Sequence, residues 1–130
     1  MSTWTLTVDV ERGFGETEEL VRGALAEQGF GILTEIDLTA TLRTKLGVEV
    51  PLQKILGACR PELAHQALEA EPAVAALLPC NVVLRSLDET TTRVETFDPA
   101  VMSALGGPAL ASVAAEATTR LRAVLASLVA

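Results

Sequence analysis

Aromatic residues are scarce in this sequence, which contains one Trp, three Phe and no Tyr among its 130 residues. Apolar residues still make up 49% of the chain, far more than in disordered proteins. The core must therefore be built from Leu, Val, Ile and Ala. A chain of this length buries about two-thirds of its extended surface on folding, so we expect one domain, residues 1–130, around one core.

Basic residues are also few, with ten Lys and Arg against seventeen Asp and Glu and a formal net charge of -7. Without a Lys/Arg stripe, such a chain is repelled by a phosphate backbone, so no nucleic-acid partner is expected. The longest apolar stretch, residues 108–130, contains Glu116, Arg120 and Arg122, whose charges are costly inside a bilayer. No membrane association is expected. The N-terminus has no signal-like pattern, and we expect a cytoplasmic protein.

The sequence lacks the patterns of several common enzyme classes. No G-x-G-x-x-G follows a predicted strand and no G-K-[ST] occurs, so no nucleotide cofactor is expected. There is no G-x-S-x-G, and the single histidine, His65, lies on a predicted exposed helix face, which leaves a hydrolase triad without support. Whether the protein is an enzyme stays open at this point, but a non-catalytic protein is favoured.

Hydrophobic periodicity predicts five strands and about five helices. Alternation of apolar and polar residues, or short β-rich runs, predicts strands at 3–10, 31–36, 52–59, 81–87 and 91–97. Helical spacing, with caps and breakers, predicts helices at 16–28, 38–46, 61–71, 99–105 and 108–130, and one further turn at 73–78. The last two strands form a hairpin through residues 88–90. Together these elements predict an α/β (α+β) two-layer sandwich on a mixed or mostly antiparallel sheet, with a long C-terminal helix.

The last predicted helix carries a continuous apolar stripe. Leu110, Ala117 and Val124 repeat every seven residues, as do Ala114, Leu121 and Leu128. At 1.5 Å per residue this helix reaches ~34 Å, which is longer than a typical strand of about 17–23 Å. We expect its end to overhang the sheet and to favour a homodimer, although a core helix with a frayed end fits the same pattern.

Two sequence blocks carry a family resemblance. Residues 54–61, Lys-Ile-Leu-Gly-Ala-Cys-Arg-Pro, and residues 77–82, Leu-Leu-Pro-Cys-Asn-Val, lie between flanking blocks at 29–37 and 98–102. In this order, over nearly the whole chain, they resemble the small bacterial and archaeal family known as domain of unknown function 302. The resemblance implies a compact α/β domain that forms dimers and has no established biochemical activity.

The two cysteines are the candidate catalytic residues. Cys59 lies between a strand and a helix that begins at Pro61, where the helix dipole and free amides favour a reactive thiolate. A small buried hydrophobic side chain is the competing interpretation. Cys80 follows Pro79 at a strand entry, and whether it meets Cys59 depends on the path of residues 61–79. Two independent core thiols therefore remain an alternative to a functional pair.

Other polar residues give weaker indications. Glu62, His65 and Glu69 form one helical stripe with the Glu-x-x-His spacing of some carboxylate metal sites, but no second histidine exists, and the expectation is a solvated stripe without metal. Asp98, before Pro99, is expected to cap a helix.

Two functional hypotheses follow. The first is a homodimeric module that binds an unknown small molecule or protein without catalysis, with its pocket near the cysteine turns. The second is a thiol-dependent redox or sulfur-handling protein that uses Cys59 with Cys80. The candidate ligand-binding residues are Lys54, Cys59, Cys80, Asn81 and Asp98.

Overall fold

The computed structural model describes residues 3–130 and has an α+β fold built on a five-stranded sheet. Its strands are β1 (Thr5–Val10), β2 (Gly31–Asp37), β3 (Gln53–Cys59), β4 (Cys80–Asp88) and β5 (Thr91–Phe97). Its α-helices are α1 (Phe14–Glu27), α2 (Leu38–Leu46), α3 (Pro61–Ala70), α4 (Ala100–Gly106) and α5 (Ala111–Leu128). Two 3₁₀ helices, Pro72–Leu77 and Pro108–Leu110, precede β4 and α5.

The sheet order is β1-β5-β4-β3-β2, and every pairing is antiparallel. This confirms the predicted α+β sandwich, including the hairpin of β4 and β5. The first two strands of the chain lie at opposite edges of the sheet, and α1 connects them. As a result, β1 pairs with the last strand to be made, with Thr5 opposite Phe97.

The predicted caps and breakers set the ends of several helices. The Asp37 side chain accepts a hydrogen bond from the Ala40 amide at 2.9 Å and begins α2, which ends at Gly47 with a φ of 68°. Pro61 occupies the first position of α3. The Asp98 carboxylate accepts a bond from the Ala100 amide at 3.0 Å, as expected for a cap of α4.

The sheet buries one face under α1 and α5. A row across this face contains Leu6, Thr96, Val82 and Leu56, which the strand register places opposite one another. All four side chains are buried. A second apolar cluster is formed by side chains of α3, α4, both 3₁₀ helices and the first half of α5. The core therefore has two parts with a seam between them.

The C-terminal stripe is buried within the chain rather than free to meet a second copy. The α-helix begins at Ala111 and has 18 residues, because Pro108–Leu110 forms a 3₁₀ helix. The first half of the stripe packs in the second cluster and the second half packs on the sheet, so even Leu128 is only 7% exposed. The stripe residues, all buried within the chain, are Leu110, Ala114, Ala117, Leu121, Val124 and Leu128.

The β2 edge is far more exposed than the rest of the sheet. Six of its seven residues are exposed, and a register shift between Ile32 and Thr34 bulges Leu33 outward. Leu33 is 65% exposed, and Leu46, at the end of α2, is 69% exposed.

Among residues 3–130, no helix is long and apolar enough to cross a bilayer.

Candidate functional site

Both cysteines line one small cavity at the seam between the two parts of the core. Its volume is about 30 Å³, and we call it the cysteine cavity. Sheet residues, the first two turns of α3, α4 and α5 all contribute to its wall. The lining residues are Phe30, Ala58, Cys59, Arg60, Leu63, Ala64, Ala67, Leu78, Cys80, Met102, Val113 and Ala117.

Cys80 is the buried thiol of the cavity. It begins β4 directly opposite Ala58 of β3, and only 7% of its surface is exposed. Burial, with a smaller contribution from the charge of Cys59, raises the pKa of Cys80 to about 11. The thiol is therefore protonated at neutral pH, and it behaves as a small apolar side chain until something displaces its proton.

Cys59 is the more accessible thiol. It is the last residue of β3, and it is partly buried. Burial raises the pKa of Cys59, and the nearby Glu62 carboxylate adds to the rise. Both effects disfavour the thiolate, so they act against the stabilisation that the start of α3 would provide and agree better with the competing interpretation of a small apolar side chain.

Arg60 brings the one positive charge that lines the cavity. Its Nε donates to the Gln28 carbonyl at 3.2 Å, and its Nη1 lies 3.4 Å from a Glu62 carboxylate oxygen. Gly29 allows this approach, because it adopts a φ of 81° and a Cβ there would lie 2.9 Å from Arg60 Nε. The end of α1 and the start of α3 are thus joined at the rim of the cavity.

Met102 lines the same cavity from α4 and is only 3% exposed. The sequence pattern predicts that Met102 lies in the short helix but indicates no functional role for it. Its approach to the cysteines joins residues far apart in sequence, and no local pattern could have indicated it. Leu63 and Ala64, also missed, follow from the amphipathic pattern of α3 once Cys59 is known to lie at its start.

The other candidate ligand residues lie apart from the cysteine cavity. Lys54 forms ion pairs with Glu18 at 3.0 Å and with Glu35 at 2.9 Å, on the sheet near α1. Asn81 is exposed and follows Cys80 on β4, so alternation places it on the opposite face of the sheet. Asp98 uses its carboxylate as a helix cap. Of the five candidates, the structure brings only the two cysteines together.

The charged stripe of α3 is solvated. His65 Nε2 lies 2.9 Å from Glu69, and both side chains are well exposed. Glu62 pairs with Arg60 instead. Among residues 3–130, no three His, Cys, Asp or Glu side chains form a group that could hold a metal ion.

Comparison with known families matches residues 6–128 to the domain of unknown function DUF302. The chain belongs to the DUF302 family. The fold agrees with the crystal structure of an uncharacterized conserved DUF302 protein from Bacillus stearothermophilus, which is 31% identical. The TM-score is 0.87, and the match covers 96% of this chain and 98% of that one. No curated protein matches the sequence.

The chemistry available in this DUF302 cavity is limited by its size and its lining. Pockets for organic ligands commonly have volumes of about 300–1,000 Å³, whereas this one has room for about one water molecule. Of its lining residues, only Cys59, Arg60 and Cys80 are ionisable. The cavity can therefore hold a single atom or a very small molecule against sulfur.

Proposed function

We propose that this protein is a homodimeric binding module without catalytic activity, and that the cysteine cavity is its binding site. One observation carries the proposal: both thiols of the chain line a single small cavity whose other lining residues, apart from Arg60, are apolar. A catalytic thiol is usually activated by an adjacent base or by a lowered pKa. No carboxylate or imidazole lines this cavity, and the pKa of each thiol is raised.

A cavity-filling variant tests the site. Ala64→Leu adds a larger side chain to the wall of the cavity, whereas Ala70→Leu adds the same atoms at an exposed position of the same helix. Wild-type protein and Ala70→Leu, purified anaerobically, should each carry a small bound species in native mass spectra that Ala64→Leu lacks. If Ala64→Leu retains the bound species, or none is found and no small molecule or ion raises the melting temperature of wild type, the cavity is not a binding site.

The homodimer is proposed through β2 and α2 rather than through the C-terminal helix. β2 is an edge strand, so its outer backbone groups are available to a strand of a second copy. Five large apolar side chains cluster along this part of the chain and are at least 42% exposed. They are Leu33, Ile36, Leu46, Val48 and Leu52. Exposed apolar side chains in this number favour an interface over a free surface.

Light scattering during gel filtration tests the interface. The wild-type protein should have the mass of a dimer, and Ile36→Lys should have the mass of a monomer, because a charge would be buried without a partner. Leu105→Lys is the control, since Leu105 is equally apolar and is 69% exposed on α4. A monomeric wild-type protein, or a dimer in both variants, contradicts this interface.

A second candidate function is thiol-dependent redox chemistry at Cys59 and Cys80. It is favoured by the shared cavity and by the partial exposure of Cys59. With oxidised glutathione as the oxidant, the two thiols would lose two protons and two electrons to form one disulfide, and two glutathione thiols would be released. A mass lower by two hydrogens after this treatment supports the redox function. Two unchanged thiols reject it.

We propose that the protein is located in the cytoplasm. Both cysteines are free, and thiols remain reduced in that compartment.

A further inference from the structure

Three of the four sulfur-containing residues of the chain line the cysteine cavity. The sequence has two Cys and two Met, and the cavity contains both cysteines and Met102. These three residues come from three separate elements, the end of β3, the start of β4 and the short helix α4. No His, Asp or Glu side chain lines the same space.

We propose that the cysteine cavity binds one Cu(I) ion through the sulfur atoms of Cys59, Cys80 and Met102. The proposal rests on the proposed binding function and names its ligand. Thiolates and thioethers are soft ligands, and among biological metal ions they select Cu(I), whereas carboxylate and water ligands suit Mg²⁺, Ca²⁺ and Mn²⁺. A structural zinc site almost always has four Cys, His or carboxylate ligands, and this cavity supplies only two.

The size and burial of the cavity fit a single bare ion. Its volume of about 30 Å³ accommodates one water-sized particle. Cys80 and Met102 are almost completely buried, while Cys59 is partly exposed and gives an entry from solvent. An ion held there would be largely shielded from water and from oxygen.

The charges in the cavity also fit this ion. Cu(I) with two thiolates has a net charge of minus one, and the Arg60 guanidinium lining the same cavity compensates it. Binding replaces the two thiol protons, so that Cu(I) and two thiols give one bis-thiolate complex and two protons.

Anaerobic competition with a chromophoric Cu(I) chelator, bicinchoninate, tests the proposal. The reduced wild-type protein should take one Cu(I) per chain from the chelator. Cys59→Ser and Cys80→Ala should lose this binding. Met102→Leu preserves the side-chain volume, and this variant should bind Cu(I) at least about tenfold more weakly. Even the loss of a group that only orients a metal ligand lowers metal affinity by about this factor.

His65→Ala is the matched control, because His65 is the strongest metal ligand of α3 outside the cavity. It should bind Cu(I) like wild type. Circular dichroism melting should show that each variant is folded before its affinity is compared, with Cys80→Ser as the substitute if Cys80→Ala is unfolded.

Three outcomes overturn the three-sulfur site: no Cu(I) uptake by wild type, unchanged affinity in Met102→Leu, or loss of binding in His65→Ala. The cavity-filling test separates this failure from that of the proposed function. If Cu(I) does not bind while another species is excluded by Ala64→Leu, the binding function stands and only the choice of ligand is wrong.

Discussion

Cys80 is a titratable residue whose pKa is strongly changed by burial. Its pKa rises from a usual 9.0 to about 11 on burial, so the folded state holds this proton more tightly than the unfolded state does. The resulting stability is fully present below about pH 9 and is lost as the pH rises through about 11. Two pKa units correspond to roughly 3 kcal/mol.

We therefore predict that the free energy of unfolding falls by up to about 3 kcal/mol between about pH 9 and pH 11, and that this loss is smaller in Cys80→Ala. Urea denaturation across this range measures it. Thiolate absorbance gives a direct titration, because the chain has no tyrosine whose ionisation would overlap. A Cys80 that titrates near 9 in the folded protein contradicts the prediction.

Two glycines give opposite predictions for the same substitution. At Gly57, a Cβ would overlap Thr34 Oγ1 and lie 2.8 Å from the Pro79 ring, whereas Gly23, inside α1, has nothing within 4 Å of its Cβ position. Gly57→Ala should destabilise the protein by about 1–3 kcal/mol through overpacking. Gly23→Ala should stabilise it by about 0.5–1 kcal/mol, because Ala favours helix. Thermal melting of both variants checks the sign of each change.

At the residue scale, caps were predictable and the thiol chemistry was not. Asp37 and Asp98 cap their helices because the bond is made within three residues of sequence. The pKa of Cys59 depends on how deeply it is buried and on the position of Glu62, which are properties of the folded chain.

At the element scale, β2 is attached to α1 by a group of four charges. Lys54 lies between Glu18 and Glu35, and Arg22 lies 2.7 Å from Glu18 and 3.0 Å from Glu35. Burial acts to raise the pKa of Glu18, but hydrogen bonds from Arg22 and Lys54 outweigh it and lower the pKa. This contribution to stability is present above the usual pKa of Glu and is lost as the pH falls through the lowered value.

Lys54→Met should accordingly lower the free energy of unfolding by about 1 kcal/mol at neutral pH, since solvent screens part of the interaction. The difference from wild type should shrink as the pH falls below the usual pKa of Glu and through the lowered pKa of Glu18, because Glu18 then becomes protonated. Arg43→Met removes an exposed pair with Glu49 and should change stability by less than about 0.5 kcal/mol. Equal losses in the two variants, measured by urea denaturation, would mean that the four charges do not act together.

The sequence predicts which segments form helices and strands more readily than it predicts what packs against them. Residues 91–97 were predicted as a strand with the bounds that the structure gives, because a run rich in Thr and Val after the turn residues 88–90 is a local signal. The same reasoning identified β2 but not its exposure, since the bulge at Leu33 is a property of the pairing with β3. Comparing the length of α5 with a strand likewise overlooked the second cluster, which covers the first half of that helix.

At the scale of the whole molecule, the strand order was beyond the reach of sequence patterns. Short connections permit several pairings, and only the folded chain places β1 beside β5 and β4 beside β3. The meeting of the cysteines depends on that order, because the pairing of β3 with β4 sets Cys80 opposite Ala58 and next to Cys59. Met102 reaches them only through the packing of α4 on α5.

The place of β1 in the sheet also governs how the chain folds during its synthesis. Thr5 pairs with Phe97, which a ribosome adds 92 residues later (97 minus 5). At about 5–20 residues per second, β1 waits about 5–20 s for its partner strand. Throughout this interval Leu6 and Val10, which are buried in the folded protein, face solvent or a chaperone. Nascent chains that end before β5 should therefore be cut by proteases at their first strand, and protection there should arise last.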